Sequence, residues 1–133
     1  MTFNWPISIY YEDTDAGGVV YHSNYLNFFE RARTEWLKSL AINQTELLKQ
    51  DIAFVVKHAD IDFRIAARFE QSLSVRSTLT QLKKASMVFH QQLIDEQDNV
   101  YCEASITVAC IALSKMRPKG IPQSIVQEFN RAR

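Results

Sequence analysis

The chain has 133 residues, of which 47% are hydrophobic and 23% charged, enough for one hydrophobic core and too few for two. Fifteen basic residues balance fifteen acidic ones, so no net field draws it to nucleic acid or to an anionic membrane surface. No apolar run approaches the ~20 residues that span a bilayer, and Met1 to Pro6 lacks the basic-then-apolar pattern of a secretory signal, so the expected location is cytoplasmic.

In chain order, Pro6 to Tyr11 reads as a short strand rich in Ile and Tyr. The run Tyr10-Tyr11-Glu12-Asp13-Thr14-Asp15-Ala16-Gly17-Gly18-Val19-Val20-Tyr21-His22-Ser23-Asn24-Tyr25 follows, and it holds two of the three glycines in the protein, directly after a pair of acids. Glycine lets a loop turn tightly or approach a ligand closely. A carboxylate beside such a turn, feeding a helix start, combines a base with unpaired N–H donors, a pairing suited to attack on a carbonyl. From Ser23 to Leu40 the residues Tyr25, Phe28, Phe29, Ala32, Trp36 and Leu40 recur at three- and four-residue spacing, predicting a long, mostly buried helix with Ser23 or Asn24 as its cap. Thr45 to Gln50 is a candidate short helix.

The remainder alternates. Ile61, Phe63 and Ile65 oppose Asp60, Asp62 and Arg64, the period of a half-buried strand. Strands through Leu73, Val75 and Leu79 and through Met87, Phe89 and Leu93 are separated by a turn at Lys83-Lys84 and closed by Asp95-Glu96-Gln97-Asp98-Asn99. The last strand, Val100 to Leu113, has only apolar, often small, residues at its even positions. Fourteen strand residues reach ~47 Å whereas the Ser23–Leu40 helix is ~27 Å long, so the sheet must curl around its helix. Cys102 and Cys110, the only cysteines, fall eight residues apart on that strand, ~27 Å in extended chain, too far for a disulfide. After the connector Lys115 to Pro122, the residues Ile125, Val126 and Phe129 predict a short docking helix.

The run Tyr11 to Tyr25, continued by Phe28-Phe29-Glu30-Arg31-Ala32-Arg33, resembles hotdog-fold acyl-CoA thioesterases of the 4-hydroxybenzoyl-CoA thioesterase type. It is closest to the Tol-Pal-associated (YbgC-type) group, and the likeness extends through Phe54-Val55-Val56-Lys57 and Lys115-Met116-Arg117-Pro118. The resemblance implies an α+β hotdog domain over residues 1–133, a curled antiparallel sheet wrapped around one long central helix. It implies that Asp15 is the catalytic carboxylate and that His22 lies at the helix start, where a backbone N–H polarises the thioester carbonyl. It also implies a homodimer or homotetramer with the active site at the subunit interface.

The chemistry stands beside the likeness. A thiol leaving group with a pKa near ~8.5 departs readily as thiolate, so a full Ser-His-Asp triad is unnecessary. One carboxylate, acting on water or attacking the carbonyl itself, starts the reaction, and a helix N-terminus holds the developing oxyanion. Asp15 and the Tyr21–Asn24 turn supply these parts, with Tyr21 and Asn24 as substrate-binding residues. The His22 side chain either assists the reaction or packs beside the substrate. Asp13 reads as a structural turn residue. Asp13, Asp15 and His22 are metal-ligand types, but without a second His or a Cys nearby no metal is expected, nor any organic cofactor. Glu30 is expected to pair with Arg33 or Arg31. Lys115, Arg117 and Lys119 either meet the phosphates of coenzyme A or form an exposed connector. The expected substrate is an acyl-CoA, the sequence leaving open whether coenzyme A or acyl carrier protein is the natural carrier, and the acyl group is expected to be short or small. The alternatives are a hotdog hydratase or dehydratase and a non-enzymatic acyl-binding, envelope-associated adaptor.

Overall fold

A computed structural model describes residues 2–132, with side chains through Arg131. In chain order the elements are β1 (Thr2–Ser8), α1 (Asn24–Ser39), α2 (Gln44–Lys49), β2 (Ile52–Phe63), β3 (Ser72–Leu82), β4 (Ser86–Ile94), β5 (Val100–Ala112), β6 (Arg117–Pro118) and α3 (Gln123–Ala132). The strands form one antiparallel sheet in the order β1-β3-β4-β5-β2, with β6 added beside the end of β5. This is the curled sheet around one central helix, the hotdog architecture, that the sequence leads one to expect. No helix among the described residues is long and apolar enough to cross a membrane.

The core lies between α1 and the concave face of the sheet. Phe28, Phe29, Ala32 and Trp36 are buried on α1 and face Cys102, Ala104, Ile106, Val108 and Cys110, the even positions of β5. Small residues there leave room for the aromatic helix face, and each large apolar side chain so buried contributes about 1.5–3 kcal/mol. The docking helix α3 closes one end: Phe129 meets Trp36 and Phe89 edge to face, with ring centroids 5.8 and 6.3 Å apart. A polar network crosses this apolar interface. Gln91 of β4 donates to the Phe29 carbonyl (3.0 Å) and to Ser77 Oγ (2.9 Å), and accepts from Arg33 Nη1 (2.9 Å). All three side chains are buried, and desolvating them is tolerable because they satisfy one another.

Two strands differ from expectation. The first strand is Thr2–Ser8, not Pro6–Tyr11; Phe3, Trp5 and Ile7 alternate inward on it, and Phe3 stacks on Trp36 at 5.8 Å. Pro6 is tolerated because β1 is an edge strand, where a missing N–H breaks no essential ladder bond. Likewise, β2 starts at Ile52, well before the alternation at Ile61, because a register shift between Val56 and His58 interrupts its period, and Ile65 lies beyond its end. The other edge of the sheet is β2 itself. It pairs with β5 alone, so a twelve-residue row of backbone groups on its far side has no partner among the described residues.

Candidate active site

The loop between β1 and α1 is built on two acids that face opposite ways. Asp13 is 5% exposed, and its Oδ2 accepts the Tyr10 N–H at 2.9 Å across a single 3-10 turn. Its carbonyl oxygen then receives both Tyr21 N–H (3.0 Å) and Asn24 Nδ2 (2.9 Å). Asp13 is thus the structural residue expected of it, and it ties the loop to the first residue of α1. Thr14 and Val20 form a bridge, and Val19 bridges to Arg68, so the intervening residues make a narrow ribbon. Gly18 turns its tip with φ of 77°, a conformation that favours glycine.

Asp15 sits on that ribbon, exposed to solvent. Its N–H donates to the Val19 carbonyl (2.9 Å), and its Oδ1 accepts from Gly17 N–H at 2.8 Å. A Cβ on Gly17 would come within 3.3 Å of that oxygen, so glycine there permits the close approach. Asp15 Oδ2 accepts no hydrogen bond among the described residues and stays open to a ligand or water.

The start of α1 corrects one expectation. Ser23 has helical dihedrals and makes no side-chain cap, and no acid lies in the first turn. Asn24 uses its amide nitrogen on Asp13 and its oxygen on Asn27 Nδ2 (3.0 Å). Asn24 N–H itself donates to the Tyr21 carbonyl (2.9 Å). The amides of Tyr25 and Leu26 are therefore left as the unpaired donors that a helix start supplies, with the positive end of its dipole behind them.

His22 and Tyr21 are exposed and lie side by side, ring centroids 4.4 Å apart. The structure does not join His22 to Asp15 by a hydrogen bond. Instead the imidazole lines a hollow of about 230 Å³ with Val20, Tyr25, Phe63 and Ile65. Its ring is 6.4 Å from Phe63, which in turn meets Tyr25 at 5.5 Å. Tyr25 is held by the Ala67 N–H, which donates to its phenolic oxygen at 3.1 Å, and burial raises its pKa above the ordinary value. Phe63 and Ile65 escape a reading for chemistry, because an alternating apolar residue signals strand and nothing more until the fold places it.

The other candidates are elsewhere. Glu30 pairs with Arg33, as expected. Both cysteines are free and buried, and burial pushes the Cys102 thiol up to about 12, so neither is a poised nucleophile. No group of three His, Cys, Asp or Glu side chains spaced to hold a metal ion occurs among the described residues. The basic connector lies at the opposite end of the sheet: Lys119 N–H donates to the Cys110 carbonyl (2.9 Å), whereas Phe63 pairs with Cys102. Eight strand residues, about 27 Å, separate these ends within one chain.

The fold is a hotdog domain, and its loop brings a solvent-facing carboxylate to a helix start without a side-chain cap. The chain belongs to the Thioesterase-like superfamily, whose profile matches residues 10–129. It is 44% identical to an acyl-CoA thioesterase YbgC of Haemophilus influenzae, over 96% of this chain and 94% of that one. It is 41% identical to an acyl-CoA thioester hydrolase YbgC of Escherichia coli O6:H1, over 96% and 95% respectively. Among solved structures, a 1,4-dihydroxy-2-naphthoyl-CoA thioesterase from Synechocystis superposes with a TM-score of 0.91 at 27% identity, covering 98% of this chain and 96% of that one.

Proposed function

We propose that this protein hydrolyses acyl-CoA thioesters to the free acid and coenzyme A, with Asp15 as the reacting carboxylate. The observation that carries the mechanism is the tie through Asp13. One carbonyl oxygen holds both Tyr21 and Asn24, two residues before Asp15, so the carboxylate and the free amides of α1 belong to one rigid unit. In the reaction the thioester carbonyl oxygen lies against those amides. Asp15 Oδ2 takes a proton from water as the water oxygen attacks the carbonyl carbon, or attacks that carbon directly. The C–S bond then breaks with its electron pair on sulfur. Donors fixed in place stabilise the developing oxyanion, and losing one such donor typically costs about 2.7–4 kcal/mol of barrier. Tyr21 and His22 form an exposed shelf beside the site, and the hollow under His22 receives the start of the acyl group. The missing hydrogen bond between His22 and Asp15 favours hydrolysis over the hydratase alternative, which needs an imidazole and an acid working on one proton.

Two chains complete the site. The unpaired β2 edge, with Val56 and Phe63 each more than half exposed, suits pairing with the β2 of a second copy. Two-fold antiparallel pairing sets the Ile52 end of one strand beside the Phe63 end of the other. It thereby brings the basic connector of one subunit, Lys115, Arg117 and Lys119, toward the active-site end of its neighbour, where the phosphates of coenzyme A would lie.

Thiol release from short, long and aromatic acyl-CoAs, run beside Asp15→Asn, tests the proposal. The near-isosteric change is expected to leave the fold intact and cut turnover by about 10²–10⁴-fold. No release from any member, or full turnover by the folded variant, would overturn it.

A further inference from the structure

Two separate hollows lie between α1 and the concave face of β2, and the two stripes of side chains that join them mark the course of a groove leading away from the site. Its floor is the inward-facing row of β2: Phe63, Ile61, Ala59, Val56 and Phe54 pair with Cys102, Ala104, Ile106, Val108 and Cys110, whose side chains face the core. Its wall is one stripe of the helix region: His22, Leu26, Glu30, Arg33 and Leu37 recur at spacings of four, four, three and four residues. The groove opens beside His22 and Phe63, which line one hollow, and narrows where Glu30, Arg33, Phe54 and Val56 line another. Along these two stripes, from Leu26 and Phe63 to Leu37 and Phe54, the one charged pair is Glu30–Arg33, with the amide of Gln44 lining the same hollow. The pair is firmly placed. The Arg33 side chain is 7% exposed and is held by Gln91, while Glu30 is 57% exposed and lines the second hollow.

We propose that the Glu30–Arg33 pair is a stop that sets the length of acyl chain the enzyme accepts, an inference that rests on the thioesterase reading. A methyl terminus gains nothing against an ion pair and strips water from it, so an apolar chain is accommodated only as far as the pair. Six residues from Asn24 to Glu30 at the helical rise span about 9 Å. An extended acyl chain advances about 1.25 Å per bond, given C–C bonds of ~1.5 Å, so it reaches the pair after about seven bonds. The accepted substrates are therefore acyl groups of up to about eight carbons.

The test is kcat/KM across straight-chain acyl-CoAs from four to twelve carbons, for wild type, Glu30→Gln, Glu30→Leu and Glu30→Leu/Arg33→Met. Wild type and Glu30→Gln, which keeps a polar group in place, are expected to fall at least tenfold between eight and twelve carbons. The double variant is expected to raise the twelve-to-four-carbon ratio at least threefold. Should the double variant fail to fold, the same ratio is read from Glu30→Leu, in which Arg33 keeps its bond to Gln91. Hydrolysis with a change of less than threefold overturns the stop alone. Failure of the wild type to hydrolyse any chain overturns the thioesterase reading and the stop with it.

Discussion

Asn24 Nδ2 donates to the carbonyl oxygen of Asp13 at 2.9 Å, joining the first residue of α1 to the loop that carries Asp15. A second donor, the Tyr21 N–H, reaches the same oxygen at 3.0 Å. The helix start and the carboxylate are held by one acceptor, and neither moves without the other.

Asn24→Ala removes one of those two bonds and the acceptor for Asn27. The expected stability loss is about 1 kcal/mol, the net worth of an ordinary hydrogen bond. The expected fall in kcat is about tenfold, because a small displacement of the amides from the oxyanion position weakens them disproportionately. Urea unfolding and steady-state kinetics on the same preparation separate the two effects. A loss of stability without a loss of kcat would show that the tie only supports the fold.

Isotope labelling tests whether Asp15 attacks the carbonyl itself, since label found on Asp15 requires an anhydride intermediate. In a single turnover in ¹⁸O water, a base that activates water sends the label directly into the product acid. A carboxylate that attacks the carbonyl gives an acyl anhydride first, and water opening it at the aspartyl carbon leaves the label on Asp15. Oδ1 is held by Gly17 N–H while Oδ2 is open, and the expected result is label in the acid alone, read by mass spectrometry.

The unpaired edge of β2 makes the oligomeric state a prediction. Light scattering at micromolar concentration is expected to give a dimer or a multiple of one, since a twelve-residue edge of about 40 Å is a template that soluble proteins cover. A monomer would remove the route by which the basic connector of one subunit reaches the site of its neighbour.

The convex face of the sheet carries an acid-sensitive cluster. Glu103 Oε1 lies 2.6 Å from His90 Nε2 and accepts from Gln92 Nε2 at 3.1 Å, and its second oxygen pairs with Arg64. The His90 hydrogen bond above all, with Gln92 and Arg64, holds the Glu103 carboxyl below its ordinary value of 4.5. A carboxylate depressed on folding stabilises the fold above its unfolded pKa, and that contribution is lost as pH falls through the lower folded value. Wild type is therefore expected to lose more stability than Glu103→Gln between pH 5 and about pH 3. Urea midpoints at the two pH values read the difference, and parallel losses would exclude Glu103 from acid sensitivity.

Much of this architecture is legible along the chain. The helix expected over Ser23–Leu40 is Asn24–Ser39, and the strand expected over Val100–Leu113 is Val100–Ala112, because both periods run unbroken for many residues. The first strand and the start of β2 are harder to see. One carries Pro6, which reads as a strand breaker until its edge position is known, and the other carries a bulge that shifts its alternation by one residue. The position of the helix cap is legible, but its missing side-chain bond is not. Ser23 has the right chemistry for a cap, but the turn fixed on Asp13 holds it in helical dihedrals, away from that role.

By itself the sequence determined what is local and periodic: one buried helix, alternating strands, two cysteines too far apart to bridge, and an acid beside a glycine turn ahead of a helix. Only the tertiary structure decided which groups share a space. It turned Asp13 inward and Asp15 outward, set Phe63 beneath His22, fixed Arg33 on Gln91 from 58 residues away, and left one edge of β2 open. Periodicity reports which face of an element is buried. Which elements meet depends on how the sheet closes over the helix, and that is settled by packing the whole core at once.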